Sequence, residues 1–102
     1  MSDDYPYQTI FERDKFTCQY CGLDASKDFN IWWHANLNID HIVPKSCGGT
    51  DAEENLVVAC RACNLYKGST PCKTKDEAKE IVKEKRGQAE QWFKRHVLKQ
   101  KY

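Results

Sequence analysis

Two Cys-x-x-Cys pairs, Cys18 with Cys21 and Cys60 with Cys63, constrain the fold of this 102-residue chain more than any other feature. Each pair brings two thiols to one tight turn, and Gly22 follows the first pair, where glycine adopts backbone conformations that other residues resist. Four thiolates supply the closed tetrahedral site of a structural zinc ion, which leaves no coordination position for a substrate. The spacing therefore predicts that one zinc ion holds the two turns together.

A disulfide or redox pairing of the same cysteines is the alternative, and the compartment decides between the two. Residues 1–6 lack the charged and apolar segments of a secretory signal, and no run approaches the roughly 20 apolar residues of a membrane span. We therefore expect a soluble cytoplasmic protein with no membrane partner, in which paired cysteines favour zinc. Cys47 and Cys72 lie outside the pairs and are expected to be free thiols.

Length and charge describe a small domain with an uneven charge distribution. The chain is 30% charged, with a mean hydropathy of −0.80, so that its apolar core is small for one domain. The net charge of +1 hides an asymmetry: residues 1–59 carry four basic against ten acidic side chains, and residues 73–102 carry ten against five. An acidic body with a basic tail is compatible with a polyanionic partner at the tail.

Hydrophobic periodicity predicts a few short elements before residue 72. Residues 5–13 predict a short helix, and residues 37–41 and 55–59 predict two strands joined by a long, turn-rich loop. A short helix is expected at residues 64–68, ended by its glycine. His34 follows two tryptophans and is expected to pack in a strand.

Residues 73–102, the basic tail, are predicted to form one long amphipathic helix. Thr74 and Glu77 have the spacing of a capping box, and the apolar stripe that follows includes Trp92 and Phe93, which we expect to dock the helix onto the body. A bend is possible near Gly87. Basic residues of the opposite face are candidates for phosphate contacts, namely Lys83, Arg86, Lys94 and Arg95. A solvated charged helix is the alternative, because glutamates interleave with the lysines.

Asp40, His41 and Asn64 are the candidates for chemistry. Adjacent residues of a strand point to opposite sides, so Asp40 could bind a metal while His41 faces a reacting group. Asn64 directly follows Cys63, the last of the paired cysteines, and is expected close to the strand that carries Asp40. A carboxylate and an amide oxygen are hard ligands that suit Mg²⁺, and a histidine beside them could act as general base on a water attacking a phosphodiester.

The ordered set of motifs resembles the HNH endonucleases, a family with a ββα-metal, treble-clef fold. The resemblance covers residues from about 10 to 70, and it rests on Cys18-Gln-Tyr-Cys21-Gly22, Ile39-Asp40-His41-Ile42-Val43-Pro44, Gly48-Gly49, Asn55-Leu56-Val57 and Cys60-Arg-Ala-Cys63-Asn64-x-x-Lys67-Gly68.

The resemblance implies a role for each matching position. His41 corresponds to the general base, and Asn55 to the middle residue that holds the loop and orients the base, although Asn55 could also be only a turn residue. Asn64 stands where the family often has histidine and, with Asp40, would hold the catalytic ion, although Asn64 could also be only a helix N-cap. Asparagine is the harder ligand, so Mg²⁺ or Mn²⁺ is expected rather than Ni²⁺ or Zn²⁺. Lys67 is expected to contact DNA phosphate.

The sequence thus predicts an α+β protein: a small zinc-stapled ββα-metal nuclease domain over residues 1–72, with a basic amphipathic helix over residues 73–102 packed on the same domain. The predicted function is a metal-dependent endonuclease of bacterial or phage origin acting on DNA, expected to be double-stranded. A non-catalytic zinc-stapled nucleic-acid-binding module and a zinc-organised protein-interaction domain are the alternatives. Oligomeric state, sequence specificity, and nicking as against double-strand cleavage stay open.

Overall fold

The computed structural model describes residues 7–101, and within them the predicted α+β class is confirmed. The start of the predicted helix at residues 5–13 lies outside the described residues. The regular elements are helices Gln8–Arg13 (α1) and Phe29–Ala35 (α2), strands Asn38–His41 (β1) and Leu56–Ala59 (β2), helices Arg61–Lys67 (α3) and Lys75–Phe93 (α4), a π-helical segment Lys94–Leu98, and a last helical turn Lys99–Lys101 (α5).

The two predicted strands form the expected antiparallel hairpin. Asp40 lies opposite Val57, and His41 lies opposite Leu56. All four residues of β2 are buried, whereas Asp40 is the buried residue of β1. Because side chains alternate along a strand, Asp40 points into the core and His41 points to the other face.

Helix α1 packs against the outer side of β2. Ile10 is buried with Leu56 and Val58. The carboxylate of Asp14, just after α1, accepts a 2.9 Å hydrogen bond from the Val58 amide, and the Arg13 guanidinium donates to the Leu56 carbonyl. The short helix is therefore joined to β2 by hydrogen bonds between side chains at its end and the main chain of β2, as well as by apolar contact.

The segment that holds His34 is helical, and the prediction that His34 packs in a strand is wrong. Asp28 caps the start of α2, its carboxylate accepting a 2.8 Å hydrogen bond from the Ile31 amide. Asn36 ends the helix in the left-handed conformation, with φ at 45°. Asp28 and Asn36 are residues typical of helix boundaries, but the bulky side chains between them favoured a strand in the sequence analysis. His34 itself is exposed.

Helix α4 begins as its capping residues predict. The Thr74 hydroxyl accepts a hydrogen bond from the Glu77 amide at 3.1 Å. The Glu77 carboxylate accepts in return from the amide of Lys73, one residue before the position that a standard capping box uses. The helix then runs through Gly87 without interruption, and the irregularity falls at the π-helical segment instead.

Only the first half of α4 packs on the body. Ala78 and Val82 are buried in the main core beside the cysteine turns, and Val82 is 3% exposed. Trp92 is 57% exposed and Phe93 46%, so the prediction that they dock the helix is wrong. The physical reason is length: 19 helical residues span about 28 Å, and the helix continues past the small body.

This packing predicts that substitutions in the two halves of α4 lower the free energy of unfolding by different amounts. Val82→Ala should lower the free energy of unfolding by about 2 kcal/mol, because it removes buried apolar groups and leaves a cavity. Trp92→Ala should leave that free energy unchanged within error, although it removes a larger side chain. Urea denaturation of both variants tests this, and an equal loss of stability in Trp92→Ala would show that the distal half docks after all.

Candidate metal and catalytic site

The four paired cysteines come together as the sequence predicts. Their sulfur atoms all lie within 4.8 Å of one another, and the Cys21 and Cys60 sulfurs are 3.9 Å apart. A zinc tetrahedron with bonds of about 2.3 Å has sulfurs about 3.8 Å apart. The Cys21 amide also points at the Cys18 sulfur, at 3.5 Å, as expected in a metal-binding turn. The donor set and its geometry are compatible with a structural zinc ion.

The electrostatics of this cluster favour a cation. Hydrogen bonds from the Cys21 and Cys60 thiols hold the pKa of Cys18 well below its ordinary value. The pKa of Cys60 is raised by its role as donor to Cys18, and burial raises the pKa of Cys63 to about 12. Four sulfurs that cannot all ionise beside one another need a positive charge among them to become thiolates.

None of the six cysteines, all of which lie within residues 7–101, is in a disulfide. The expectation of free thiols outside the cluster is confirmed: Cys47 is exposed, and the buried Cys72 donates to the Ile42 carbonyl at 2.9 Å. The redox alternative for the paired cysteines finds no support in this arrangement.

Asp40 is 8% exposed and sits in a hydrogen-bonded cluster beneath β1. Its Oδ2 accepts a 2.6 Å hydrogen bond from the Tyr20 hydroxyl and lies 3.2 Å from the Lys67 ammonium. Burial, together with the neighbouring carboxylate, raises the pKa of Tyr20 far above its usual range, so the phenol remains a donor. Within residues 7–101 no hydrogen bond engages Asp40 Oδ1.

Lys67 is completely buried, and the prediction that it contacts DNA is wrong. Its ammonium donates to the His41 carbonyl at 2.8 Å and pairs with Asp40. Helix α3 turns this side chain toward β1 rather than toward solvent. A buried ammonium persists only with such partners, and removing either one would leave the other charge unpaired. Lys67 therefore fixes the backbone at His41.

His41 ends β1 with its side chain 25% exposed. Its Nε2 lies 2.8 Å from Asp51 Oδ1, and the Lys45 ammonium lies 3.1 Å from the same oxygen. These two contacts hold the pKa of Asp51 below its usual range. Sequence reasoning missed Asp51; the available signal was an acidic residue directly after the Gly-Gly-Thr of the turn-rich loop.

Asn55 closes that loop with three side-chain hydrogen bonds. Its Oδ1 accepts from the Val43 amide at 2.8 Å, and its Nδ2 donates to the carbonyls of Val43 at 3.1 Å and Thr50 at 2.8 Å. Asn55 therefore joins the two ends of the loop that carries Asp51, and within residues 7–101 no hydrogen bond links its side chain to that of His41.

Asn64 lies in the first turn of α3 with a half-buried side chain. Cys60 is the N-cap of that helix, so capping is not the role of Asn64. No hydrogen bond engages its side chain within the part of the chain that the structure describes. Asn64 thus lies on a helix that packs against β1, the strand that carries Asp40.

A model of the family described as HNH endonuclease matches residues 18–70, more than half of the chain. This chain belongs to the HNH endonuclease family. The matched range contains both cysteine pairs and the residues expected at the three motif positions, His41, Asn55 and Asn64.

The chain also has a curated relative, the CRISPR-associated endonuclease Cas9 of Corynebacterium diphtheriae, which is 38% identical over 71 residues. The alignment covers 69% of this chain but only 6% of the relative, so the chain spans a small part of that protein. No solved structure matches the chain. Among residues 7–101, no helix has the length and apolar character to cross a membrane.

The predicted DNA-contacting residues of this HNH protein are on the tail. Lys83 and Arg86 line a groove between α4 and the first cysteine turn, together with Tyr20 and Cys21. Lys94 and Arg95 are exposed farther along, and Lys94 is 3.7 Å from Glu90 in an ion pair typical of a solvated helix. The four basic residues are accessible, in contrast to Lys67.

The thiol cluster predicts that zinc and folding depend on each other. Cys60→Ser should lower bound zinc far below one ion per chain and unfold the domain at ordinary temperature, since a structural site contributes folding free energy directly. Metal analysis and thermal unfolding measure both effects. Cys47→Ser, which removes an exposed thiol outside the cluster, should behave as the unmodified protein. Full zinc content in Cys60→Ser would contradict the four-thiol site.

Proposed function

We propose that this protein is a metal-dependent endonuclease that hydrolyses phosphodiester bonds of double-stranded DNA. One observation carries the proposal: a partly exposed His41 is fixed next to a buried Asp40, on a strand that packs against the helix carrying Asn64, in a chain of the HNH family. The family match supports nuclease activity, and the contacts of the side chains support the individual roles.

His41 is the general base of the proposal. A base must reach the proton that it abstracts, and the imidazole is accessible at the end of β1 while its carbonyl is fixed by Lys67. His41 accepts the proton of the attacking water as the water oxygen bonds to phosphorus. Asn55 contributes indirectly by closing the loop beside the imidazole.

Asp40 and Asn64 would hold a divalent ion. Asp40 Oδ1 and the Asn64 amide are both without hydrogen bonds in the described part of the chain, and such oxygens suit Mg²⁺ or Mn²⁺. When bound, the ion would stabilise the negative charge that develops on the phosphate. Lys67 already neutralises part of the charge on Asp40, so we expect weak ion binding until a DNA phosphate adds another anionic ligand.

The thiol cluster is a structural site in this proposal, and zinc is its ion. Four sulfur ligands complete a tetrahedron, so zinc held there has no open position for water or phosphate. Its contribution is to hold the Cys18 turn against the end of β2, beneath the strand that carries His41.

DNA is the proposed partner, and the basic tail is the proposed contact. The named relative is an endonuclease from a bacterium, which agrees with a cytoplasmic bacterial or phage-encoded protein. Lys83, Arg86, Lys94 and Arg95 offer phosphates an accessible row of positive charge.

The decisive experiment is plasmid cleavage. The purified protein should convert supercoiled plasmid to open-circular or linear DNA with Mg²⁺ or Mn²⁺, and excess EDTA should abolish conversion. His41→Ala should remove the activity while zinc content and thermal unfolding stay unchanged, because the imidazole is partly exposed. His34→Ala, which removes an exposed histidine of α2, is the matched control and should cleave normally.

Three results would count against the proposal. No conversion with either metal, together with retained DNA binding, would favour the non-catalytic module. Full activity in His41→Ala would show that another residue is the general base. An unfolded His41→Ala protein would make the residue structural.

The tail contacts predict a change in the salt dependence of DNA binding. Replacing Lys83 and Arg86 together with alanine should weaken binding and flatten the plot of log affinity against log salt by about 2, since each phosphate contact contributes about 0.9 to the slope. Lys27→Ala removes an exposed charge from the body and is the control. An unchanged slope in the double variant would mean that the tail is a solvated helix.

A further inference from the structure

We infer that Asp51 is a positioning residue for the general base: it holds His41 with the proton on Nε2, so that Nδ1 receives the proton of the attacking water. The inference rests on the proposed function and assigns a role to a residue outside the three HNH positions. It starts from the 2.8 Å contact between His41 Nε2 and Asp51 Oδ1.

The direction of this hydrogen bond follows from the ionisation of Asp51. The pKa of Asp51 is lowered by its contacts with His41 and Lys45, so the group is a carboxylate at neutral pH. A carboxylate can only accept hydrogen bonds, and Nε2 must therefore carry the hydrogen. A neutral imidazole has one N–H, so its lone pair is on Nδ1. The contact fixes which nitrogen can act as base.

The neighbours of Asp51 are tied on both sides. The Thr50 carbonyl accepts a 2.8 Å hydrogen bond from the side chain of Asn55. The Ala52 carbonyl accepts a 2.8 Å hydrogen bond from the backbone N–H of Asn55. The Ala52 amide in turn donates to the Thr50 hydroxyl at 3.3 Å. Although the Asp51 side chain is exposed, its backbone is held from two directions. This explains how a residue in a long loop can keep a defined position beside the imidazole.

Gly49 shows how closely the loop lies against the end of β1. Its amide donates to the Pro44 carbonyl at 3.0 Å, and a Cβ built at this position would lie 1.8 Å from the Val43 carbonyl oxygen. Only glycine allows this approach. Because Val43 is two residues after His41, the same contact sets the distance between the loop and the histidine.

Two separate anchors therefore fix His41. Lys67 holds its carbonyl from the buried side, and Asp51 holds its ring from the exposed side. Lys45 contacts the same Asp51 oxygen at 3.1 Å and helps to keep the carboxylate in place.

The proton transfer balances as follows. An O–H bond of the attacking water breaks, and its proton forms a bond to Nδ1. The water oxygen bonds to phosphorus, and one bridging oxygen leaves with the electron pair of its bond. The imidazolium produced then donates from Nε2 to the Asp51 carboxylate, a charge-assisted hydrogen bond that is stronger than the neutral one.

The test compares Asp51→Asn with Glu54→Gln, which removes the same charge three residues away on the same exposed loop. Long-range proton–nitrogen spectra of ¹⁵N-histidine-labelled, zinc-loaded protein, at a pH where the ring is neutral, report the His41 tautomer. Single-turnover cleavage and DNA affinity are measured alongside.

We expect only the Nε2–H tautomer in the unmodified protein and in Glu54→Gln. Asp51→Asn should show a substantial Nδ1–H population, because a carboxamide can donate to Nε2. Its cleavage rate should fall by about 10- to 100-fold with unchanged DNA affinity, a size typical of residues that orient a functional group.

A tautomer that is the same in Asp51→Asn overturns the inference, whatever the rate does. Faster cleavage overturns it as well, since it would mean that the carboxylate blocks the nitrogen that reacts. If the unmodified protein cleaves no DNA, the proposed function fails, and the spectra still decide whether Asp51 sets the tautomer of His41.

Discussion

The convergence of four thiols at one point is the constraint on which the rest of this fold depends. The hairpin has strands of only four residues, and two strands of that length are not stable alone. The cluster brings the Cys18 turn to Cys60, the residue that follows β2 and caps α3. Strand, helix and turn therefore meet at one group of thiols, and α4 adds apolar contact through its first half only.

The alternation of side chains along β1 separates two kinds of chemistry. The inward residue, Asp40, belongs to a buried network with Tyr20 and Lys67, in which charge is neutralised and held rigidly. The outward residue, His41, meets solvent and the loop that Asn55 closes. A strand of four residues can thus hold a partly exposed histidine from the buried side by charge pairing and from the exposed side by hydrogen bonding.

Much of this arrangement could be predicted from the sequence because its signals are local. The cysteine spacing, the strand alternation and the Thr74 cap each depend on a few neighbouring residues. Apart from the helix that holds His34, whose local boundary residues Asp28 and Asn36 were overlooked, the errors concern side chains whose surroundings are set at long range. Nothing near Lys67 in sequence indicates that it turns inward to a strand 26 residues earlier, and nothing near Trp92 shows that the body ends before it. Asp51 was missed for the same reason, since its partner is ten residues away.

The length of the protein has a consequence for its footprint. The principal axis extends 52 Å, largely because α4 and the segments after it continue beyond the compact part. A duplex lying along that axis would be covered for about 15 base pairs, at about 3.4 Å each. On the proposed DNA substrate, a protein of this length would cover a segment longer than one helical turn around a single phosphate, and most of the covered length would reflect the reach of a helix rather than the recognition of bases.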